Sequence, residues 1–496
     1  MLRLTILACL TAAGIGASHV ASAACTDPNT CFGTGALQNN VDGQDNSAFG
    51  FQALASDVHG WQNTAVGTRA LFKNQGQGGG CEFQFCVPGA ANTAIGADAL
   101  KENLTGQANT ATGFWALLVN STGKFNVANG NSALERNTIG QENTAIGSWA
   151  LKENRDGSGN TAVGTEALLA SIEQSGNTAV GIRALRGFNW DGADRYRLLG
   201  SSNSAFGASA LSSNDSGEFN TAVGSSALSG HAEFGISGSF NTASGSNSLR
   251  ANTSGSGNTA SGFDSLHSNS SGFRNTASGV NALGAVTTGV RNTAMGAAAG
   301  KNVTTGSDNI VIGAEVSGAA AQNGEIRIGS SARQKKTYIA GIRGVKTGLA
   351  AATAVFIDAN GQLGTIKSSR EAKENIQSMG SVSERLSALR PVTFRYKETD
   401  DDGGKPVQFG LIAEEVAETF PELVVYDENG KPETVSYHLL STLLLNEFQE
   451  ERRITQAQAL HIEQQSAELA QLKQQFAEMA VAIEKLDQAR LVAATE

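Results

Sequence analysis

Proline is nearly missing from this chain, with 6 in 496 residues against 59 glycines. Too little imino acid and no Gly-X-Y register exclude collagen, and the same shortage excludes a proline-rich disordered linker. Basic residues are outnumbered, 36 to 46, for a net charge of −10. With no basic stripe to offset that balance, the composition argues against a nucleic-acid binder. No apolar run after the first residues reaches the length of a membrane span, so no transmembrane anchor is expected. The calcium-binding G-G-x-G-x-D repeat is also missing, which disfavours a calcium roll. Acidic residues are sparse between Gly43 and Gly313 and form no evident carboxylate pair for glycoside hydrolysis.

Cysteine is scarce, and its placement is informative. Cys9 lies in a segment that reads as an export signal: Arg3, an apolar stretch from Leu4 to Ile15, and a small-residue cleavage site at Ala21-Ser22-Ala23. Residues 1–23 are therefore expected to leave, and the mature chain to be extracellular, at the cell surface or periplasmic. The remaining four cysteines form two local pairs, Cys25 with Cys31 and Cys81 with Cys86. In an oxidising compartment these read as two small disulfide loops. No histidine lies near them, so neither a metal nor any cofactor is expected.

What fills the chain is a repeat. The motif N-[TS]-A-x-G begins at Asn46, Asn63, Asn92, Asn109, Asn143 and onward to Asn292, with a degenerate NVANG at Asn126 and a variant NIVIG at Asn309. Of the 14 intervals from 46 to 309, 11 are 17 residues. The three exceptions are longer, and the longest carries Cys81 and Cys86. Constant rungs interrupted by insertions predict a solenoid over 46–323, preceded by an N-terminal cap at 24–45.

One rung, NTAVGTRAL from Asn63, shows the physics. Ala65, Ala70 and Leu71 are suited to the inside, while Thr64 and Arg69 can face water. Gly67 is expected between two short extended pieces, where a side chain would be excluded. Asparagine at one place in every rung predicts a stacked amide ladder. Three small apolar groups per rung, at about 0.8 kcal/mol per methylene, leave a thin core, so stacking of chains on chains is expected as well. The rungs resemble those in the heads of trimeric autotransporter adhesins, whose repeat is shorter. That resemblance implies a parallel β-roll trimer.

From Gly324 the composition shifts. EIRIGSS, Lys335–Ile342 and Ala354–Ile366 are β-rich, the last with a turn at Asp358-Ala359-Asn360-Gly361, and 324–367 reads as a neck. Beyond Ile366 the order becomes α+β. It holds a short helix at Ser383–Leu389 before Pro391, a strand at Val392–Tyr396, and a loop over Asp400–Gly404. A strand then turns helical between Phe409 and Phe420, two strands flank Asn429-Gly430, and one long helix runs from Leu439. Along 455–496, Ile462, Leu469, Leu472, Phe476, Met479, Ile483 and Leu486, with Gln465 on the same seam, predict a coiled coil.

Four segments in order (SSREAKENI, RPVTFRYK, FGLIAEEVAETFPELVV and VSYHLLSTLLLNEFQE) resemble the intramolecular chaperone auto-processing domain of phage endosialidases and tail spikes. The resemblance covers about 368–454. It implies a homotrimer folded by this domain, which then frees itself by cutting between Lys367 and Ser368. The implied nucleophile is Ser368 and the implied base Lys373, in a pattern like S-D-x-R-x-K. Ser369 here replaces the Asp, and Glu371 stands where Arg is common. A serine hydroxyl needs an adjacent base, and a lysine serves only when its surroundings favour the neutral amine. Backbone amides opening the following helix would form the oxyanion hole. The same Ser-Ser-Arg-Glu run also fits a helix N-capping box with Lys373 solvated.

The expected whole is mainly β: a parallel β-solenoid, a small α+β chaperone domain and a C-terminal coiled coil. The expected function is a secreted, adhesin-like trimeric fibre matured by single-turnover autoproteolysis. Its ligand would be a surface glycan or another cell-surface partner. The alternatives are a glycan-binding or glycan-degrading spike using the same chaperone, and a fibre whose chaperone no longer cleaves.

Overall fold

The computed structural model describes residues 25, 28–76, 88–189, 196–230, 234–330, 332–342, 352–358, 361–397, 403–427 and 429–494. The export signal, Cys81 with Cys86, Ala359-Asn360 of the neck turn and Asp400–Asp402 of the loop lie outside those residues. The chain divides into two compact units, Met1–Tyr338 and Ile339–Glu496.

The first unit is a coil with one short strand per rung. Its 17 strands form a single parallel sheet that follows chain order, apart from an antiparallel excursion, Phe188–Asn189 with Tyr196–Arg197. Register is constant: Thr144 pairs with Thr161, Ala145 with Ala162, Ile146 with Val163. The middle alanine of each such strand points inward, because successive side chains alternate across a strand. Ala65, Ala70 and Leu71 are fully buried, and the same trio recurs rung after rung. Thr64 and Arg69 remain partly or largely exposed.

Glycine ends each strand. Gly67 has φ +135°, and a Cβ there would lie 2.6 Å from the Gly96 carbonyl oxygen. The stack of rungs therefore has no room for a side chain at this place. The piece after Gly67 is not extended, as the sequence suggested, but a turn. Arg69 (φ +54°) and Leu71 (φ +51°) both adopt the left-handed conformation, as does Gln62 (φ +60°) ahead of the motif asparagine. Left-handed backbone costs an L-residue about 1–2 kcal/mol. Burying a leucine side chain returns about 1.5–3 kcal/mol, so the turn is tolerable where it drives Leu71 inward.

Two asparagine ladders run through the coil. The Asn143 amide N–H donates to Asn126 Oδ1 at 3.1 Å, and its Nδ2 donates to the Gly157 carbonyl at 2.8 Å. Eleven residues beyond the motif asparagine, a second column repeats the device: Asn120 Nδ2 donates to Asn103 Oδ1 at 2.7 Å and to the Gly123 carbonyl at 3.1 Å. Buried polar groups are costly only when unpaired. The motif column pairs them from rung to rung, whereas the second column breaks off where Ser171, Ile236 or Val286 takes the asparagine's place, leaving Oδ1 of Asn154, Asn214 and Asn269 buried without a partner.

The sheet is longer than 46–323. It starts at Thr30–Phe32, which pairs with Ser47–Phe49, and ends at Ile326–Ile328, which pairs with Ile310–Ile312. The extra rungs are Asn29-Thr30-Cys31-Phe32-Gly33, with cysteine in the alanine place, and Glu325-Ile326-Arg327-Ile328-Gly329, with arginine there. Part of the expected cap and the start of the neck are thus rungs. Cys25 and Cys31 are disulfide-bonded, with Cα atoms 6.0 Å apart.

Lys335–Ile342, expected as strand, carries none. Its Tyr338, Ile339 and Ile342 are exposed, and a lone extended segment without a neighbouring edge has nothing to pair with.

The second unit opens on a hairpin, Phe356–Ile357 with Leu363–Gly364. Two 3-10 turns follow, Arg370–Ala372 and Gly380–Ala388, the latter where a short helix was expected. Strands Val392–Phe394 and Gln408–Gly410 pair antiparallel, as do Val424–Tyr426 and Pro432–Val435. Helix Ala413–Thr419 lies between the pairs in sequence, and helix Tyr437–Ala493 closes the chain. The core is small: Val416, Phe420, Leu423, Val424, Val435 and Leu443. The long helix is tied to it through Asn446, whose Nδ2 donates to the buried Ser383 Oγ (2.7 Å) and to the Gly380 carbonyl (2.8 Å). Past that tie the helix carries Leu469, Leu472, Phe476, Met479, Ile483 and Leu486 exposed.

Candidate functional site: a serine–lysine pair at the head of the second domain

Ser368 and Lys373 stand on either side of the Arg370–Ala372 turn. The turn is closed by the Ala372 amide donating to the Ser369 carbonyl (3.0 Å) and the Lys373 amide donating to the Arg370 carbonyl (3.2 Å). Its N-cap is Ser369, whose Oγ accepts from the Glu371 amide at 3.3 Å. Capping therefore falls to Ser369, and the hydroxyl of Ser368 is left for other work. Lys373 Nζ lies 3.0 Å from it and donates to it.

Across this turn a hydroxyl and an amine five residues apart come within hydrogen-bond reach. As placed, the pair is exposed on the single chain, and the lysine is the donor. Accepting the serine proton instead requires the neutral amine, a form favoured by desolvation or a neighbouring cation. Arg370 is adjacent in sequence but also exposed. Of the amides expected for an oxyanion hole, that of Glu371 is engaged by Ser369. Lys367, on the other side of the candidate scissile bond, is exposed too.

Among the described residues no group of three or more His, Cys, Asp or Glu side chains could hold a metal ion. No described helix is long and apolar enough to cross a membrane. His438 packs its ring against Phe356, centroids 4.9 Å apart. The residue sequence reasoning missed is Ser369. Its signal was the same capping pattern, displaced by one position.

Fold and site together define a β-solenoid chain followed by a small α+β domain that opens on a serine–lysine pair. Residues 368–425 of that domain match the family model Peptidase_S74, chaperone of endosialidase. The match begins at Ser368 itself and ends within the strand Val424–Tyr426. No curated protein and no solved structure gives a significant match. A domain of this family behind a β-solenoid fits a fibre of the phage tail-spike type.

Proposed function

We propose that this chain is an exported, trimeric fibre whose C-terminal domain drives assembly and then cuts the chain between Lys367 and Ser368. The observation that carries the reading is the 3.0 Å approach of Lys373 Nζ to Ser368 Oγ at the first residue of the chaperone match. The chemistry is an acyl shift. Ser368 Oγ attacks the Lys367 carbonyl carbon while Lys373, as neutral amine, takes the hydroxyl proton. The tetrahedral centre collapses with loss of the Ser368 nitrogen, which receives that proton, and an ester remains. Water then hydrolyses the ester to a Lys367 carboxylate and the free Ser368 hydroxyl. Each chain turns over once, and there is no external substrate.

Two surfaces support assembly. The long helix leaves its apolar seam uncovered. The third residue of many solenoid strands, including Phe49, Val66, Ile95, Ile146, Phe206 and Val223, is exposed in one column. Apolar columns of this kind are what further copies of the chain would cover.

Expression of the wild type beside Ser368→Ala and Lys373→Ala tests the reading on a denaturing gel with N-terminal sequencing. The expected result is a fragment from Ser368 to Glu496 in the wild type alone. Full-length wild type in a stable oligomer would instead identify a chaperone that has lost cleavage.

A further inference from the structure

The second asparagine ladder contains one acid. Its column holds Asn40, then Asp57, then Asn74, Asn103, Asn120 and onward, and Asp57 is fully buried within it. Asp57 Oδ1 is satisfied: it accepts from Asn74 Nδ2 at 2.7 Å and from the Gly60 amide at 3.1 Å. Asp57 Oδ2 is buried with no partner, and so is Asn40 Nδ2 on the preceding rung. In the regular rungs each ladder asparagine donates Nδ2 to Oδ1 of the rung before, as Asn137 does to Asn120 at 2.8 Å. A carboxylate has no proton for that bond. The Asn40 amide is also reversed. A Cβ on Gly43 would meet Asn40 Nδ2, whereas a Cβ on Gly106 or Gly123 would meet Oδ1 of its own ladder asparagine.

We propose that Asp57 is a proton-operated latch on the first rungs of the solenoid. As a neutral acid it takes the donor role of the missing amide, its hydroxyl bonding Asn40 Oδ1 after that amide turns over, and the ladder runs unbroken from Asn40 to Asn74. As a carboxylate it interrupts the ladder, and the rung from Asn29 to Gly43 loosens from the rest of the coil. The charged groups facing it are few. His59 on its own rung favours the carboxylate, and Asp42 on the preceding rung opposes it; these two pair with each other at 2.5 Å, nearer solvent.

Burial outweighs the hydrogen bonds from Asn74 and Gly60 and pushes the Asp57 carboxyl up to about 6 from its ordinary 3.8. The folded rungs hold a proton that the unfolded chain releases between those values. Stability contributed here is therefore complete below the ordinary carboxylate range and falls as pH rises towards about 6, then levels off.

Hydrogen exchange on the full-length chain, corrected for intrinsic rates, tests this at about pH 7.5 and about pH 5. In the wild type, amides of Thr30–Phe32 and Ser47–Phe49 should gain about tenfold protection at the lower pH, with Thr144–Ile146 as internal reference. Asp57→Asn, which restores the regular ladder residue, should show high protection at both. His59→Gln should keep the wild-type response, which separates Asp57 from the nearby histidine. A wild type with no pH response in these rungs overturns the proposal. So does an Asp57→Asn variant that responds as the wild type does, or loss of the response in His59→Gln.

Discussion

At the scale of single residues, the coil depends on atoms that are not there. Gly164 has φ +132°, and a Cβ on it would lie 2.5 Å from the Gly181 carbonyl oxygen. Gly164→Ala must strain its own backbone and push the next rung away, together at least about 3 kcal/mol. Asn143→Ala acts by the opposite route. It leaves the buried Asn160 backbone amide without a partner, and takes one of two donors from the Gly157 carbonyl and from Asn126 Oδ1. With that one orphan costing about 1–3 kcal/mol, the loss should approach the glycine's without exceeding it. Because stability in a stacked coil is a sum over neighbouring rungs, the damage is local. Limited proteolysis should show new cuts near 140–180 while the rungs before Asn109 stay resistant. A global loss of resistance would contradict that picture. These positions were legible in the sequence because side-chain chemistry demands them: amides that ladder, alanines that fit inside, glycines that admit no Cβ. The left-handed Arg69 and Leu71 were not, since nothing in an arginine or a leucine asks for positive φ; the turn imposes it to bury Leu71.

At the scale of elements, the turn Arg370–Ala372 decides whether hydroxyl and amine meet. Ser369 holds the turn's Glu371 amide, a job an Asp at this place could do as well, since a carboxylate is an equally good N-cap. Ser369→Ala should cost the turn about 1 kcal/mol and slow cleavage by roughly fivefold, with trimer content unchanged. Ser369→Asp should restore the rate. A time course of fragment release, read beside size-exclusion chromatography, separates slower chemistry from failed assembly. Equal rates for all three chains would remove Ser369 from the mechanism. The sequence suggested a capping motif and a catalytic pair as two compatible readings of the same residues. In the structure they are neighbours: the cap belongs to Ser369 and the pair to Ser368. Motif spacing could not divide the roles, because two adjacent serines satisfy the same pattern. One of the three neck segments failed for another reason. Lys335–Ile342 has the composition of a strand, but a strand needs a partner edge, which composition does not supply.

At the scale of the molecule, the amount of apolar surface left open by one chain sets the argument for association. The seam from Leu469 to Leu486 repeats at three- and four-residue spacing on an isolated helix, and every member is exposed. A helix covering that seam with copies of itself gains about 1.5–3 kcal/mol per buried large side chain, enough to decide association. The column of third-strand residues is a separate surface on the other unit. Ser244, Ser261 and Ser278 interrupt its apolar character, so it offers further copies a less continuous surface. The two surfaces therefore predict an order of dependence. Leu472→Asp with Phe476→Asp should leave newly made chains monomeric by light scattering, because the helices can no longer gather them. On the proposed reading, in which cleavage follows assembly, the same variant should also cleave slowly. In already cleaved wild type the seam is gone, yet the fibre should stay trimeric, held by Phe49, Val66, Ile95 and their column. A cleaved fibre that falls to monomers would confine the assembling surface to the helix. A seam variant that still assembles would place it in the solenoid instead.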